Sequence, residues 1–314
     1  MSATPAIPPS LHALMAEIGP RWGTSVTQHV KQMVDEFSRV LADQPTDGIR
    51  VTRNLAYGAH PRQVLDVYRP AATAGTSEAT GPLPVLIFAH GGAFVDGEKD
   101  RTPQVYSNVL YYFARNRVLG INMEYRQAPE FKYPSGAQDV GGAVAWARAH
   151  AAEYGGDPSR IFIMGPSAGA AHTGCYAYDA SLHPAGGAGI AGHIVLSGRV
   201  RTEMRADNPN AKKVEAYCGS DPAMLVKASA VMLAAGTRLP LLPHHTWSLW
   251  TRYQLDSRWG AGIGVVRQTE KIASLQTAGN QVLLPAFTTV DAAVFYKIND
   301  KLRAQLNVTN IFNA

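Results

Sequence analysis

The feature that most constrains this chain is a change of hydrophobic period part-way along it. Between about residues 83 and 200, short apolar runs alternate with helical periodicity. Val85 to Ala89, Val118 to Glu124, Ile161 to Met164 and Ile194 to Ser197 read as strands; Tyr106 to Arg117, Gly136 to Tyr154 and Ala168 to Tyr178 read as helices. Strands that are apolar throughout are buried on both faces, and the helices between them supply the cover. This part predicts an α/β fold, a parallel sheet with helices on both faces. After about residue 232 the period becomes two. His245 to Leu255, Trp259 to Arg267, Thr288 to Ile298 and Leu302 to Phe312 are candidate strands, separated by a turn at Asp256-Ser257-Arg258, a long polar loop from Gln268 to Pro285, and a turn at Asn299-Asp300. That segment predicts about four antiparallel strands and no helix.

Upstream, residues 10 to 43 carry an amphipathic helical pattern with Val30, Met33, Val34, Phe37 and Leu41 on one stripe. Short strands follow at Arg50 to Ala56 and Val64 to Tyr68, then a Gly/Ser/Thr/Pro loop from Ala71 to Pro84. With 46% hydrophobic and 17% charged residues, disorder is excluded as the main state. The net charge of +5 divides unevenly: 21 basic and 20 acidic residues precede position 233, and 8 basic and 4 acidic follow it. The longest basic run is the pair Lys212-Lys213, so no phosphate-tracking stripe exists and a nucleic-acid partner is not expected. Two cysteines, Cys175 and Cys218, read as ordinary thiols. No His-Glu-x-x-His spacing occurs; no metal and no cofactor are expected. The first nine residues lack a basic and an apolar region, which predicts a cytoplasmic start.

Two motifs carry chemistry. Gly165-Pro166-Ser167-Ala168-Gly169 lies between a predicted strand and a predicted helix, the context in which Gly-x-Ser-x-Gly forms a sharp turn that projects the serine at the sheet edge. His90-Gly91-Gly92-Ala93-Phe94 directly follows the strand Val85 to Ala89, and bare glycine backbone there can approach a carbonyl group. The N–H groups of Gly91 and Gly92, with that of Ala168, would form an oxyanion hole. His90 is read as a structural hydrogen-bonding residue near the site.

In order and spacing, Leu65-Asp66-Val67-Tyr68, the His90 to Phe94 motif, Glu124-Tyr125-Arg126-Gln127-Ala128-Pro129-Glu130 with Tyr133-Pro134, and Gly155 to Ile161 leading into Gly165 to Gly169 resemble the α/β-hydrolase superfamily, specifically carboxylesterases related to hormone-sensitive lipase. The resemblance implies Ser167 as catalytic nucleophile, Gly91, Gly92 and Ala168 as oxyanion donors, a small-molecule ester as substrate, and an N-terminal helical lid over residues 1 to 49. Pro166 departs from the pattern, since proline lacks an N–H, but a strand end tolerates it. The usual order Ser, then Asp or Glu, then His finds weak candidates only in Asp207, Asp221, His244 and His245. The acid and base are therefore expected to be absent, leaving a truncated hydrolase core over residues 50 to 222 with impaired activity. An arylformamidase-like amide hydrolase would use the same residues.

The tail resembles something else. Gly236 to Pro240, Pro243 to Trp250, Leu284 to Asp291, Asn299 to Leu302 and Leu306 to Phe312 look like strands of a TonB-dependent siderophore receptor near the end of its barrel. This implies a junction at residues 223 to 235, an incomplete barrel segment over 236 to 314, and a chimeric chain that meets a membrane only if those strands insert, in the outer membrane.

Overall fold

The computed structural model describes residues 8–71, 81–205, 208–234, 246–269, 271–275, 281–299 and 302–310. It divides into two compact units, Met1–Ala235 and Gly236–Ala314.

The first unit opens with helices α1 (Pro9–Ile18) and α2 (Val26–Ala42), followed by strands β1 (Ile49–Ala56), β2 (Val64–Pro70) and β3 (Leu83–Ala89). Then come α3 (Ser107–Arg115), β4 (Leu119–Met123), α4 (Ser135–His150), β5 (Gly156–Pro166), α5 (Ala168–Tyr178) and β6 (Gly192–Leu196), and three short helices, α6 (Ala211–Cys218), α7 (Pro222–Lys227) and α8 (Ala230–Ala234). The strand order is β1-β2-β4-β3-β5-β6. Pairs β3–β4, β3–β5 and β5–β6 are parallel. The sheet is therefore α/β as expected but not wholly parallel, because β1–β2 and β2–β4 are antiparallel. The reversal has a simple cause: β1 and β2 precede the first helical crossover, and antiparallel neighbours need none.

Apolar side chains of the central strands meet the helices on both faces. Ile87, Ile121 and Ile163 pack with Val140, Ala143 and Val144 of α4 on one face; Leu86 and Phe88 pack with Leu110 and Ala114 of α3 on the other. Small residues on α4 and α5 let these helices lie close. A methyl on Gly141 would meet the Tyr176 ring at 2.7 Å. Cys175 and Cys218 are free and buried, and burial pushes each thiol up to about 12, so neither is a thiolate near neutrality. At the far edge, Ile194, Val195 and Leu196 of β6 are each more than a third exposed, at 37%, 43% and 38%.

One polar cluster sits inside this frame. Asp139 of α4, buried, accepts hydrogen bonds from the Arg126 N–H (2.8 Å), Arg126 Nη2 (2.8 Å) and Gln63 Nε2 (2.8 Å). Those bonds hold the Arg126 guanidinium above its ordinary pKa. Asp139→Asn keeps the volume but turns an amide toward Arg126, and unfolding free energy in urea should drop by about 1.5–3 kcal/mol. An unchanged midpoint would show that the pair contributes nothing net.

The second unit contains β7 (Thr246–Gln254), β8 (Trp259–Gln268), β9 (Lys271–Leu275), β10 (Gln281–Leu284), β11 (Phe287–Lys297) and β12 (Arg303–Val308). Four of these form an antiparallel sheet ordered β12-β11-β8-β7, at nearly the positions the period of two predicts. The segment read as a long polar loop instead contains the antiparallel pair β9–β10. Its Lys271-Ile272-Ala273-Ser274-Leu275 and Gln281-Val282-Leu283-Leu284 are too short for their alternation to stand out from loop composition. No helix among the described residues is long and apolar enough to cross a membrane.

Candidate active site

Strand β5 ends in Pro166 and helix α5 begins at Ala168, so the chain turns on Ser167 alone. Ser167 has φ 52° and ψ −116°, a conformation that a residue with a Cβ adopts at a cost of about 1–3 kcal/mol. The turn is over-determined by its surroundings. A Cβ on Gly165 would lie 2.5 Å from the Gly169 carbonyl carbon, and one on Gly169 would lie 2.1 Å from the Ala89 oxygen. Both positions need the missing side chain. Pro166 is tolerated because β3 pairs with β5 only as far as Met164, while β6 pairs on to Pro166 through Leu196. The Ser167 side chain is exposed.

The glycine loop after β3 faces this turn. A Cβ on Gly91 would sit 3.5 Å from Ser167 Cβ and 3.4 Å from the Pro166 oxygen, in van der Waals contact with both, so the loop lies directly beside the serine. Gly92, at φ 155°, folds the loop back: its oxygen accepts from the Asp96 N–H at 2.9 Å, and a Cβ on it would lie 1.6 Å from the Asp96 oxygen. Among the described residues, the N–H groups of Gly91, Gly92 and Ala168 donate to no internal acceptor.

Behind the loop, His90 is fully buried. Its Nε2 lies 2.7 Å from Glu124 Oε1, its Nδ1 lies 2.8 Å from the Gly91 oxygen, and its ring stacks on Tyr125 at 4.2 Å. One ring nitrogen is thus committed to the loop carbonyl of Gly91 and the other to Glu124. Glu124 also accepts from Arg62 and, at 3.0 Å, from the Lys99 N–H. Burial alone would push the Glu124 carboxyl up, yet the bonds from His90 and Lys99 and the Arg62 charge hold it below the usual range. Arg62 Nη2 and Gln127 Nε2 in turn donate to the Gly97 oxygen at 3.0 and 2.8 Å. The Glu124 to Pro129 segment is therefore a brace for the glycine loop.

Among the described residues, no acid–histidine pair is bonded to Ser167. Asp207, His244 and His245 lie outside the described residues. Asp221 is an exposed N-cap whose Oδ1 accepts from the Ala223 N–H at 3.0 Å. Ser167 Oγ has no hydrogen-bond partner among the described residues.

Sequence reading passed over His172. It follows the serine by five positions on α5, fully buried among the rings of Phe94, Tyr125 and Tyr217. Its Nδ1 is 3.3 Å from Tyr217 Oη, and its Nε2 has no partner. Burial, assisted by the nearby His90, pushes the ring down to about 3, so it is neutral and no proton acceptor near pH 7. A helix as uniformly small and apolar as Ala168 to Tyr178 gives a lone histidine no periodic signal.

A sheet with this strand order, a serine on the strand-to-helix turn and a glycine loop beside it define the first unit as an α/β-hydrolase fold. Residues 65–185 match the family model described as BD-FAE. Among curated proteins, the chain is 41% identical over 117 residues to esterase LipC of Mycobacterium tuberculosis, covering 37% of this chain and 27% of that protein. It is 34% identical over 126 residues to a probable isoprenylcysteine alpha-carbonyl methylesterase of Arabidopsis thaliana, covering 40% and 24%. The chain thus spans about a quarter of the length of these relatives. Among solved structures, esterase B from Lactobacillus rhamnosis superposes with a TM-score of 0.53 at 18% identity, covering 73% of each chain. A bacterial heroin esterase superposes with 0.51 at 23% identity, covering 68% of this chain and 70% of that one.

Proposed function

We propose that the first unit is a carboxylic ester hydrolase by descent, acting on a small-molecule ester by acyl transfer through Ser167. The observation that carries this reading is the strained, exposed Ser167 with Gly91 close beside it, while the N–H groups of Gly91, Gly92 and Ala168 donate to no acceptor among the described residues. Ser167 Oγ would add to the ester carbonyl carbon while the C=O pair moves onto the oxygen, which the N–H groups of Gly91, Gly92 and Ala168 would hold. Collapse would expel the alcohol, the Ser167 hydroxyl proton passing through solvent to the leaving oxygen, and addition of water would then release the acid and restore the hydroxyl. No histidine among the described residues bonds to Ser167, so turnover through this constellation is slow. Donors and binding without an intact triad typically retain about 10³–10⁴-fold catalysis over water. An amide substrate would use the same residues.

Incubation with a fluorophosphonate followed by peptide mapping should place the adduct on Ser167. Aryl-ester turnover with no adduct on the Ser167 peptide would defeat the reading.

The second unit supports a separate reading as a segment of a receptor barrel. Tyr253, Ala261, Val294 and Leu306 stand opposite one another across β7, β8, β11 and β12, with Tyr253, Val294 and Leu306 70%, 43% and 68% exposed. An apolar row left bare on one face of an antiparallel sheet suits a lipid contact. None of the relatives named above is such a receptor. Recovery of the expressed chain outside the outer-membrane fraction would count against this reading.

A further inference from the structure

Tyr106 combines three properties that the reaction above does not use. It has φ 70° immediately before α3, an outlier for a bulky residue. Its hydroxyl has no hydrogen-bond partner among the described residues, although it lies 3.4 Å from where a Cβ on Gly91 would stand, beside the loop that faces Ser167. Its ring packs against Phe88 and His90, and the residue also lines a cavity of about 540 Å³.

That cavity lies between α2 and α3. Met33, Val34, Phe37 and Leu41 line it from α2, and Val109 and Tyr112 from α3. The apolar stripe of α2 is only half-buried, so its cover is incomplete. Two polar bonds hold the helix across the opening: Ser38 Oγ to Thr102 Oγ1 at 3.2 Å, and Asn108 Nδ2 donating to the Leu41 oxygen at 3.2 Å. Thr102 Oγ1 also accepts the Val105 N–H at 2.9 Å, and the Tyr106 oxygen accepts the Val109 N–H at 3.0 Å. The Tyr106 backbone is thereby pinned from both sides in a conformation it would not otherwise keep.

We propose that Tyr106 is a substrate-binding and specificity-determining residue: its phenol donates to an oxygen of the ester held before Ser167, and its ring forms the inner wall of the α2–α3 cavity, which receives the unbranched apolar acyl chain. This rests on the ester-hydrolase reading. The acyl side is chosen because the acyl group stays on Ser167 through both half-reactions while the alcohol leaves.

Binding of 2-pentanone and 2-undecanone, ester mimics without a leaving group, is measured by saturation-transfer NMR on the full chain. Wild type should prefer 2-undecanone. Tyr106→Phe should weaken both ketones about 3- to 10-fold, as loss of one hydrogen bond does. Val109→Trp, with Met33→Trp as the substitute if it fails to fold, should reduce the preference for the longer ketone. Hydrolysis arms use p-nitrophenyl decanoate and decyl acetate, and the cavity-filling variant should slow the first more than the second. Wild-type affinities in Tyr106→Phe, an unchanged chain-length preference in the filled variant, or slowing of decyl acetate alone would overturn the proposal. Ser167→Ala separates the two levels. If turnover does not depend on Ser167, the hydrolase reading falls while the ketone arms still decide the role of Tyr106.

Discussion

Gly92→Ala should lower aryl-ester turnover by about 10²- to 10³-fold, mostly in kcat. Two facts set the size of the effect. The glycine sits at φ 155°, and a Cβ placed on it would overlap the Asp96 backbone oxygen at 1.6 Å. The substitution cannot be absorbed by a side-chain rotation, so the turn itself must open. Opening it moves the Gly91 and Gly92 N–H groups away from Ser167. On the proposed mechanism these donors hold the developing oxyanion, so displacing them slows the addition step. An intact fold is checked by circular dichroism and by the thermal midpoint. A folded Gly92→Ala protein with wild-type kcat would remove the loop from the reaction.

Acid should destabilise the first unit steeply below about pH 6.5. His172 is pushed down to about 3 by burial and by His90, and His193 to about 4 by burial. His193 bonds Thr173 Oγ1 at 3.0 Å and Tyr178 Oη at 3.2 Å, and neither ring has an acceptor carboxylate. A histidine whose folded pKa lies below its unfolded value of about 6.5 favours the folded state above pH 6.5. That contribution is lost as pH falls toward the folded values, because the unfolded chain takes up the proton first. Each ring contributes up to about 1.4 kcal/mol per pH unit once the unfolded imidazole is mostly protonated, so roughly 3 kcal/mol should disappear between pH 6.5 and 5. Urea titrations at pH 7, 6 and 5 measure the slope, and His172→Asn should remove about half of it. An unchanged slope in that variant would show that the ring is not held neutral by burial. Glu124 acts in the same direction only below its ordinary carboxylate range.

The parts of the fold legible in the sequence are those in which periodicity and burial coincide. The central strands are apolar throughout because both faces are covered, and Ala168–Tyr178 was readable to the residue. The sharp turn on Ser167 was legible through Gly165 and Gly169, where a Cβ would run into backbone atoms. The direction of β2 was not legible, because an apolar run looks the same whichever way it pairs. Helices α6 to α8 were not legible because, at 8, 6 and 5 residues, each is too short for a clear stripe. Glu124 and Arg62 were visible only as motif letters or not at all. Their role as a brace depends on meeting His90 and Gly97 from distant parts of the chain, 34 and 35 positions away. His172 and Tyr106 carry no pattern, and their meaning lies in which groups surround them.

The bare edge of β6 has a consequence for handling the protein. Ile194, Val195 and Leu196 present backbone donors and acceptors with no lysine, proline or bulge to deter an incoming strand. Any loosening of the first unit, by acid or by substitution, then occurs beside a surface that templates the addition of more chain. Loss of native structure would therefore surface as turbidity that grows with concentration, ahead of any dispersed unfolded monomer, and a lysine at Val195 would delay it.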